Sequence, residues 1–236
     1  PWQHKMFRPY LEAGIPCYVS RPWSSRIKDF DEMLELAAKH NAPLMATATY
    51  EHYNEADTLR EKLKNVGTIK CVYATDTAGD FPHYHLQYMM LKILGYHVDQ
   101  VALLTNDIMK PHYQQDTYLY EPKDEQPPFA CTMNSARGPY IFHITIIGTE
   151  GTEVACMPGN SNWFYRFFTQ MMDMQKTFEG NTYQPLDVVR KKFEIYMAAK
   201  YSHHERGGAP VKVGTVPVDW SYPHHKPGWM DDSLFG

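Results

Sequence analysis

From Val98 to Met157 the sequence contains no run with helical spacing, and this restricts the fold more than any other feature. The stretch carries alternating, β-rich runs broken by turn residues: Val101 to Leu104, Thr117 to Tyr120, Phe129 to Asn134, Tyr140 to Ile147 and Glu153 to Met157. Strands that follow one another without intervening helices predict a large, open, mainly antiparallel sheet. Apolar helical patterns at His85 to Gly95, around Trp163 to Phe178 and around Leu186 to Ser202 supply helices to back it.

The preceding part reads differently. A short helical stretch from Met6 to Leu11 closes at Gly14, and Ile15 to Val19 reads as a buried strand. A helix opens at Ser24 or Ser25, spaces Ile27, Phe30, Met33, Leu34 and Ala37 along one face, and runs to His40. Ala42 to Ala48 is a second apolar strand. Strand, helix and strand in that order predict a right-handed parallel crossover. A helix from Glu55 to Lys64 then leads through Gly67 into the strand Ile69 to Ala74. The fold class is α/β followed by α+β, divided into 1–74 and 75–236, with a hinge near Tyr73 to Phe81. The tail from His203 is expected to wrap the surface. Two or three parallel strands do not stand alone, because their edges and faces stay exposed. Missing sequence or a partner chain is expected to complete them. The first residue is Pro1 rather than Met, which suits a fragment or a processed product.

Composition narrows the function classes. None of the 236 residues belongs to an apolar run long enough for a membrane span, and no signal-peptide pattern opens the chain. A cytoplasmic location is expected, with a secreted or periplasmic one left open. The formal charge of -4 with interspersed signs argues against nucleic acid. Cys17, Cys71, Cys131 and Cys156 are far apart and form no CxxC pair, so neither a zinc site nor a disulfide framework is expected. They read as reduced, buried residues. The 17 tyrosines and 12 histidines suit a polar carbohydrate groove, and equally an oligomer interface. Met89, Met90, Met171, Met172 and Met174 fall at helical spacing and read as core. His203-His204 and His224-His225 read as solvated tail.

Several segments in a fixed order carry a resemblance. Leu11-Glu-Ala-Gly-Ile-Pro-Cys-Tyr-Val-Ser-Arg-Pro22 resembles the stretch of the Gfo/Idh/MocA family in which an alanine-glycine turn leads through a short strand into Glu-Lys-Pro. Ala42-Pro43-Leu44-Met45 fits the next strand. His85 to Gly95 has the spacing of the family's active-site helix, which starts at the catalytic histidine and ends in Leu-Gly. Gly148-Thr149-Glu150-Gly151 resembles its Gly-Thr-x-Gly sheet turn. Leu186 to Val213, with Ser202 and Gly207-Gly208-Ala209-Pro210-Val211, resembles its closing helix and final strand. The resemblance implies a partial Rossmann-like βαβ layer followed by a sheet whose open face often makes the oligomer contact. It also implies NAD or NADP as cofactor and sugars, inositols or their derivatives as substrates. A homo-oligomer through the open sheet face is therefore expected.

The chain departs from that pattern at three places. No Gly-x-Gly-x-x-Gly follows a strand, so the turn that would hold a pyrophosphate is absent from this sequence. Ser20-Arg21-Pro22 replaces Glu-Lys-Pro, and arginine does not act as a base. Phe81 stands where the family usually has an aspartate, with Asp80 one residue earlier.

The candidate catalytic residues are His85, whose imidazole titrates near neutrality, together with Arg21 and Asp80. Arg21 and Pro22 are the cofactor-facing candidates. Candidate substrate-binding residues are His83, Tyr50, His52, Tyr53, Asn160, Asn162, Trp163 and Arg166. His83 and His85 also form a possible metal pair, but no partner carboxylate is visible and no metal is expected. Tyr50, His52 and Tyr53 read equally as a packed hinge, Trp163 as an anchor between helix and sheet, and Arg21 as a surface ion pair. Three functions follow. The first is a sugar or sugar-acid oxidoreductase that needs a nucleotide-binding part not present in this sequence. The second is a cofactor-independent carbohydrate lyase or isomerase that eliminates beside a uronate carboxylate. The third is a non-catalytic assembly subunit.

Overall fold

The computed structural model describes residues 3–20, 23–78, 82–106, 113–158, 163–181 and 183–222. Helix α1 (Gln3–Glu12) ends at Gly14, whose φ of 70° lets the chain reverse while Ile15 N–H bonds back to the Tyr10 carbonyl at 2.9 Å. Strand β1 (Cys17–Ser20), helix α2 (Ile27–Lys39) and strand β2 (Leu44–Thr47) follow. The two strands pair in parallel, from Cys17 opposite Leu44 to Ser20 opposite Thr47, as a strand-helix-strand crossover requires. The N-cap of α2 is Arg26 rather than a serine. Ser24 acts one step earlier, its Oγ accepting Arg26 N–H at 3.2 Å, and the Arg26 guanidinium grips Asp29 at 2.9 and 2.8 Å.

The chain forms two compact units. One is built from the segment up to Thr47, from Met172–Phe193 and from the stretch after Pro217; the other comprises Ala48–Met171 and Glu194–Val216. The core of the first is aromatic. Trp23 stacks on Phe30 with centroids 5.3 Å apart, and Phe193 closes on Phe30 at 4.5 Å. Lys192 is fully buried here, its ammonium 5.1 Å from the Trp23 ring and donating to Gln184 Oε1 at 2.8 Å. Solvating the charge through a ring face and an amide offsets part of its desolvation.

The second unit begins with a 3-10 turn, Thr49–His52, and helix α3 (Asn54–Lys62). Strand β3 (Ile69–Ala78) and helix α4 (Pro82–Leu94) follow, then β4 (Val98–Asn106), β5 (Tyr113–Tyr120), the 20-residue β6 (Phe129–Gly148) and β7 (Thr152–Pro158). Helices α5 (Trp163–Phe178) and α6 (Leu186–Arg206) contain the boundaries between the units, and β8 (Val211–Lys212) adds to β4.

Strand β6 pairs with β3, β5 and β7. Its second half runs antiparallel to β3, from Ile69 opposite Gly148 to Asp76 opposite Phe142. Its first half meets the same residues with numbers rising on both strands, from Cys71 opposite Ala130 to Asp76 opposite Ser135. β3 is thus flanked by both halves of one strand. The alternation sorts the two faces as period 2 demands. Val72, Ala74, Tyr118, Cys131, Met133, Phe142, Ile144 and Ile146 are buried, while Tyr73, Leu104, Leu119, Ile141 and Val154 are exposed on the other side.

Gly148 shows why the Gly-Thr-x-Gly turn has its sequence. A Cβ there would stand 2.1 Å from the Val66 carbonyl oxygen, and the turn docks by Thr149 N–H to Thr68 O and Glu150 N–H to Val66 O.

Several expectations need correcting. Met89 and Met90 are core, but Met171 is 65% exposed and Met172 40%, because helical spacing defines a face without saying whether anything covers it. His203 and His204 lie in the last turn of α6 rather than in a tail, where basic residues suit the helix dipole. All four cysteines are free, but only Cys17 and Cys131 are buried and Cys156 is exposed. The run expected to end at Ala74 continues to Ala78.

Candidate active site

Arg21, Pro22, Asp80, Asn160 and Asn162 lie outside the described residues. His83 and Trp163 are placed by their backbones only, in the first turns of α4 and α5. Of the residues singled out from sequence, the second unit brings together Tyr50, His52, Tyr53, His85 and Arg166, all buried.

The centre of this group is the Tyr50 ring. His85 packs on it with centroids 4.1 Å apart, and the Arg166 guanidinium carbon lies 4.1 Å from its centroid. Tyr53 and Phe142 complete the ring's surroundings at 5.2 and 4.9 Å. Arg166 Nη1 donates to the Tyr53 hydroxyl at 2.7 Å and its guanidinium is 5.0 Å from the Tyr53 ring. Burying that cation costs several kcal/mol in isolation. Two tyrosine faces and a hydroxyl acceptor in a dry setting are the groups that offset such a cost. Burial pushes the Tyr53 phenol up to about 12, with Arg166 pulling the other way. Tyr53 therefore stays a neutral acceptor across the physiological range.

The 3-10 turn that presents Tyr50 and His52 is fixed at both ends. Glu51 Oε1 accepts Ala48 N–H at 2.8 Å, and Lys92 of α4 donates to the Glu51 carbonyl at 2.6 Å while pairing with Asp57 at 2.7 Å. Lys92 lies seven residues after His85, two turns along the same helix, so the turn carrying Tyr50 is held on the helix carrying His85.

Sequence reasoning missed the sheet residues beside this cluster. Gln114, Ser135, Asp76, Phe142 and Met157 stand opposite one another across five adjacent strand segments and are all buried. Ser135 Oγ donates to Asp76 Oδ1 at 2.7 Å. One step further along β5, Asp116 accepts from Tyr118 at 2.7 Å and from Gln114 at 3.3 Å. Burial, then the Asp116 carboxylate, holds the Tyr118 phenol well above its usual value and keeps it a donor. A signal was available: Val72, Ala74 and Asp76 share an inward parity, and a carboxylate at an apolar position of an alternating strand is the anomaly worth noting. Phe142 links the row to the cluster, since it faces Asp76 across the strands and Tyr50 across its ring. Chemically, the set offers an imidazole, a guanidinium, phenols and carboxylates, the donors and acceptors that polyhydroxylated molecules require.

Between Ser20 and Ile27 the sequence has no glycine of the kind that admits a pyrophosphate, and Trp23, Ser24 and Ser25 are buried. Among the described residues no group of three or more metal-ligating side chains is gathered, and no helix is long and apolar enough to cross a membrane.

No family model and no curated protein matches the sequence. Solved structures do match the fold. A probable dehydrogenase from Thermotoga maritima superposes with a TM-score of 0.73 at 13% identity, covering 90% of this chain and 77% of that chain. GenD2 from gentamicin A biosynthesis, in complex with NAD, gives 0.73 at 14%, covering 89% and 75%. The WlbA dehydrogenase from Chromobacterium violaceum, in complex with NADH and UDP-GlcNAcA, gives 0.69 at 16%, covering 92% and 75%. The chain has the fold of these dehydrogenases over nine-tenths of its length, the fold that the resemblance to the Gfo/Idh/MocA family implies.

Proposed function

We propose that this protein is an oxidoreductase of the Gfo/Idh/MocA type that acts on a sugar or sugar acid. The observation that carries the reading is the Tyr50-centred stack, which sets His85, at the position the family gives its catalytic histidine, in one group with a buried Arg166. His85 handles the substrate hydroxyl proton, Arg166 orients an acidic or hydroxyl group of the substrate, and the Asp76–Ser135 pair receives further hydroxyls. NAD or NADP would supply the hydride acceptor, with Arg21 and Pro22 as the residues of this chain beside it. Asp80, His83, His52, Asn160, Asn162 and Trp163 belong to the same reading, as does the division into 1–74 and 75–236. The exposed sheet face with Tyr73, Leu119, Ile141 and Val154 is the surface on which a second copy packs, giving a homo-oligomer. A cytoplasmic place is part of the proposal.

Calorimetric titration of the protein from its native source with NAD and NADP tests the cofactor, and the absence of heat from both would sink the oxidoreductase reading. His85→Gln is expected to lower kcat/KM by about two to four orders of magnitude with little change in stability. Unchanged turnover in that variant removes His85 from the chemistry.

A second reading rests on the altered motif. With arginine instead of lysine at the Glu-Lys-Pro position, His85 as base and Arg166 as cation suit elimination beside a uronate carboxylate. Ultraviolet absorbance of an unsaturated product from uronate polysaccharides is its signature.

A further inference from the structure

The far end of α4 carries a second cluster of polar groups, unconnected with the Tyr50 stack. His85 and Leu94 are separated by nine residues, about 13 Å along the helix. There a cleft of about 350 Å³ opens in the second unit, within the range of small-molecule sites. Its apolar lining includes Ile69 from the start of β3, Leu94 from the end of α4 and Phe129 from the start of β6. Its polar lining is Lys64, Lys123, Asp124 and His97. We infer that this cleft is a ligand site for a small organic acid, whose oxyanion head lies between Lys64 and Lys123 and whose short apolar body rests on Ile69, Leu94 and Phe129.

Three observations support it. Lys64 and Lys123 form no ion pair among the described residues, so with Asp124 the lining has an excess of one positive charge. Both ring nitrogens of His97 are shielded from solvent and lack a hydrogen-bond partner among the described residues. Buried polar atoms of that kind are rare in folded proteins, and a ligand in the cleft would supply a partner. Burial first, and then Lys123, lowers the His97 pKa, so the imidazole is neutral and offers one N–H and one lone pair.

The frame around the cleft is also stiff. Tyr120 and Phe129 stack at 4.5 Å and 9°, and His97 meets Tyr120 edge-on at 5.1 Å. Gln126 accepts Ile69 N–H at 2.7 Å and donates to the Ile69 carbonyl at 2.9 Å, acting as a one-residue strand that ties the Lys123–Gln126 turn to β3. A site held this way loses little freedom when it is filled. Carboxylate and phosphate heads share the charge chemistry, but the three apolar contacts favour a carboxylate with a short chain.

The test follows the ring signals of His97 by NMR in the full chain, assigned by their loss in His97→Gln, during titration with butyrate and with inorganic phosphate. Saturable shifts are expected with butyrate at millimolar concentrations, and weaker ones with phosphate. Lys64→Gln and Lys123→Gln are expected to weaken butyrate binding roughly three- to tenfold each, without changing the unfolding midpoint. No saturable shift with either probe up to about 50 mM, or unchanged affinity in the double lysine variant, overturns the site. Tighter binding of phosphate than of butyrate overturns the assignment of an apolar body.

Discussion

Replacing Tyr53 by phenylalanine tests whether the buried guanidinium depends on its neighbours as the geometry implies. The substitution removes one oxygen and leaves the ring, so no cavity of consequence forms. What is lost is the 2.7 Å acceptor of Arg166 Nη1 in a setting where Arg166 is fully buried. A hydrogen bond to a charged group contributes about 1.5 to 3 kcal/mol, and the cation cannot recover it from water. Urea unfolding at neutral pH is therefore expected to show a loss of about 2 kcal/mol. Alkaline titration supplies an independent sign. Burial raises the folded phenol from its usual 10.0 to about 12, so the unfolded chain ionises first. Its contribution is complete below pH 10 and is lost as the pH rises toward 12. That difference corresponds to a contribution on the order of 2 kcal/mol. Tyr53→Phe should remove that component of the alkaline loss, while the components from Tyr118 and Tyr120 remain. A double-mutant cycle with Arg166→Met should return a coupling of about 1.5 kcal/mol or more. Coupling near zero, or an alkaline unfolding curve unchanged by Tyr53→Phe, would refute the argument.

Arg166→Met alone separates packing from function, because replacing a buried ion with an apolar side chain of similar size is often neutral or stabilising. Unchanged or higher stability with lost turnover is expected, whereas retained turnover would make the cluster a core feature only. Gly148→Ala should cost about 3 kcal/mol in urea unfolding, since the added carbon meets the Val66 carbonyl at 2.1 Å and both partners are backbone. A cost under about 1 kcal/mol would mean that the turn shifts freely. Trp23→Ala should cost about 3 to 5 kcal/mol through loss of the stack on Phe30 and Phe193, measurable as a shifted unfolding midpoint.

The elements were legible where one local period governed them. Helix α5 runs from Trp163 to Phe178, the span its spacing predicts, and β2 falls inside its apolar run while β1 passes the end of its own by one residue, Ser20. Strand β6 was legible only in halves. The sequence reads as two runs, Phe129–Asn134 and Tyr140–Ile147, broken by turn residues, yet one strand continues through the gap. The break has a physical counterpart, because the first half's register with β3 ends at Arg137 and the second half's with β7 begins at Ile141. Sequence period reports the state of a residue and says nothing about which neighbour it pairs with, so the enclosure of β3 by one strand could not be read.

The candidate site was legible by composition and illegible by partnership. Tyr50, Tyr53, His85 and Arg166 were each singled out, but their contact spans up to 113 residues of sequence, and only the fold decides that one tyrosine ring meets both the imidazole and the guanidinium. Asp76 shows the converse. It lies two residues beyond the run read as a strand, and its meaning comes from Ser135 and Phe142 on either side of it in the sheet. A cluster assembled only for packing has no need of a buried cation, a buried imidazole and a buried carboxylate within one layer of side chains. Apolar residues of the same volume satisfy the core at lower desolvation cost. With His85 only 5% exposed, the side chains around it must part before any substrate touches the ring, so turnover and local opening of this layer should respond together to Lys92→Met, which unfastens the turn carrying Tyr50.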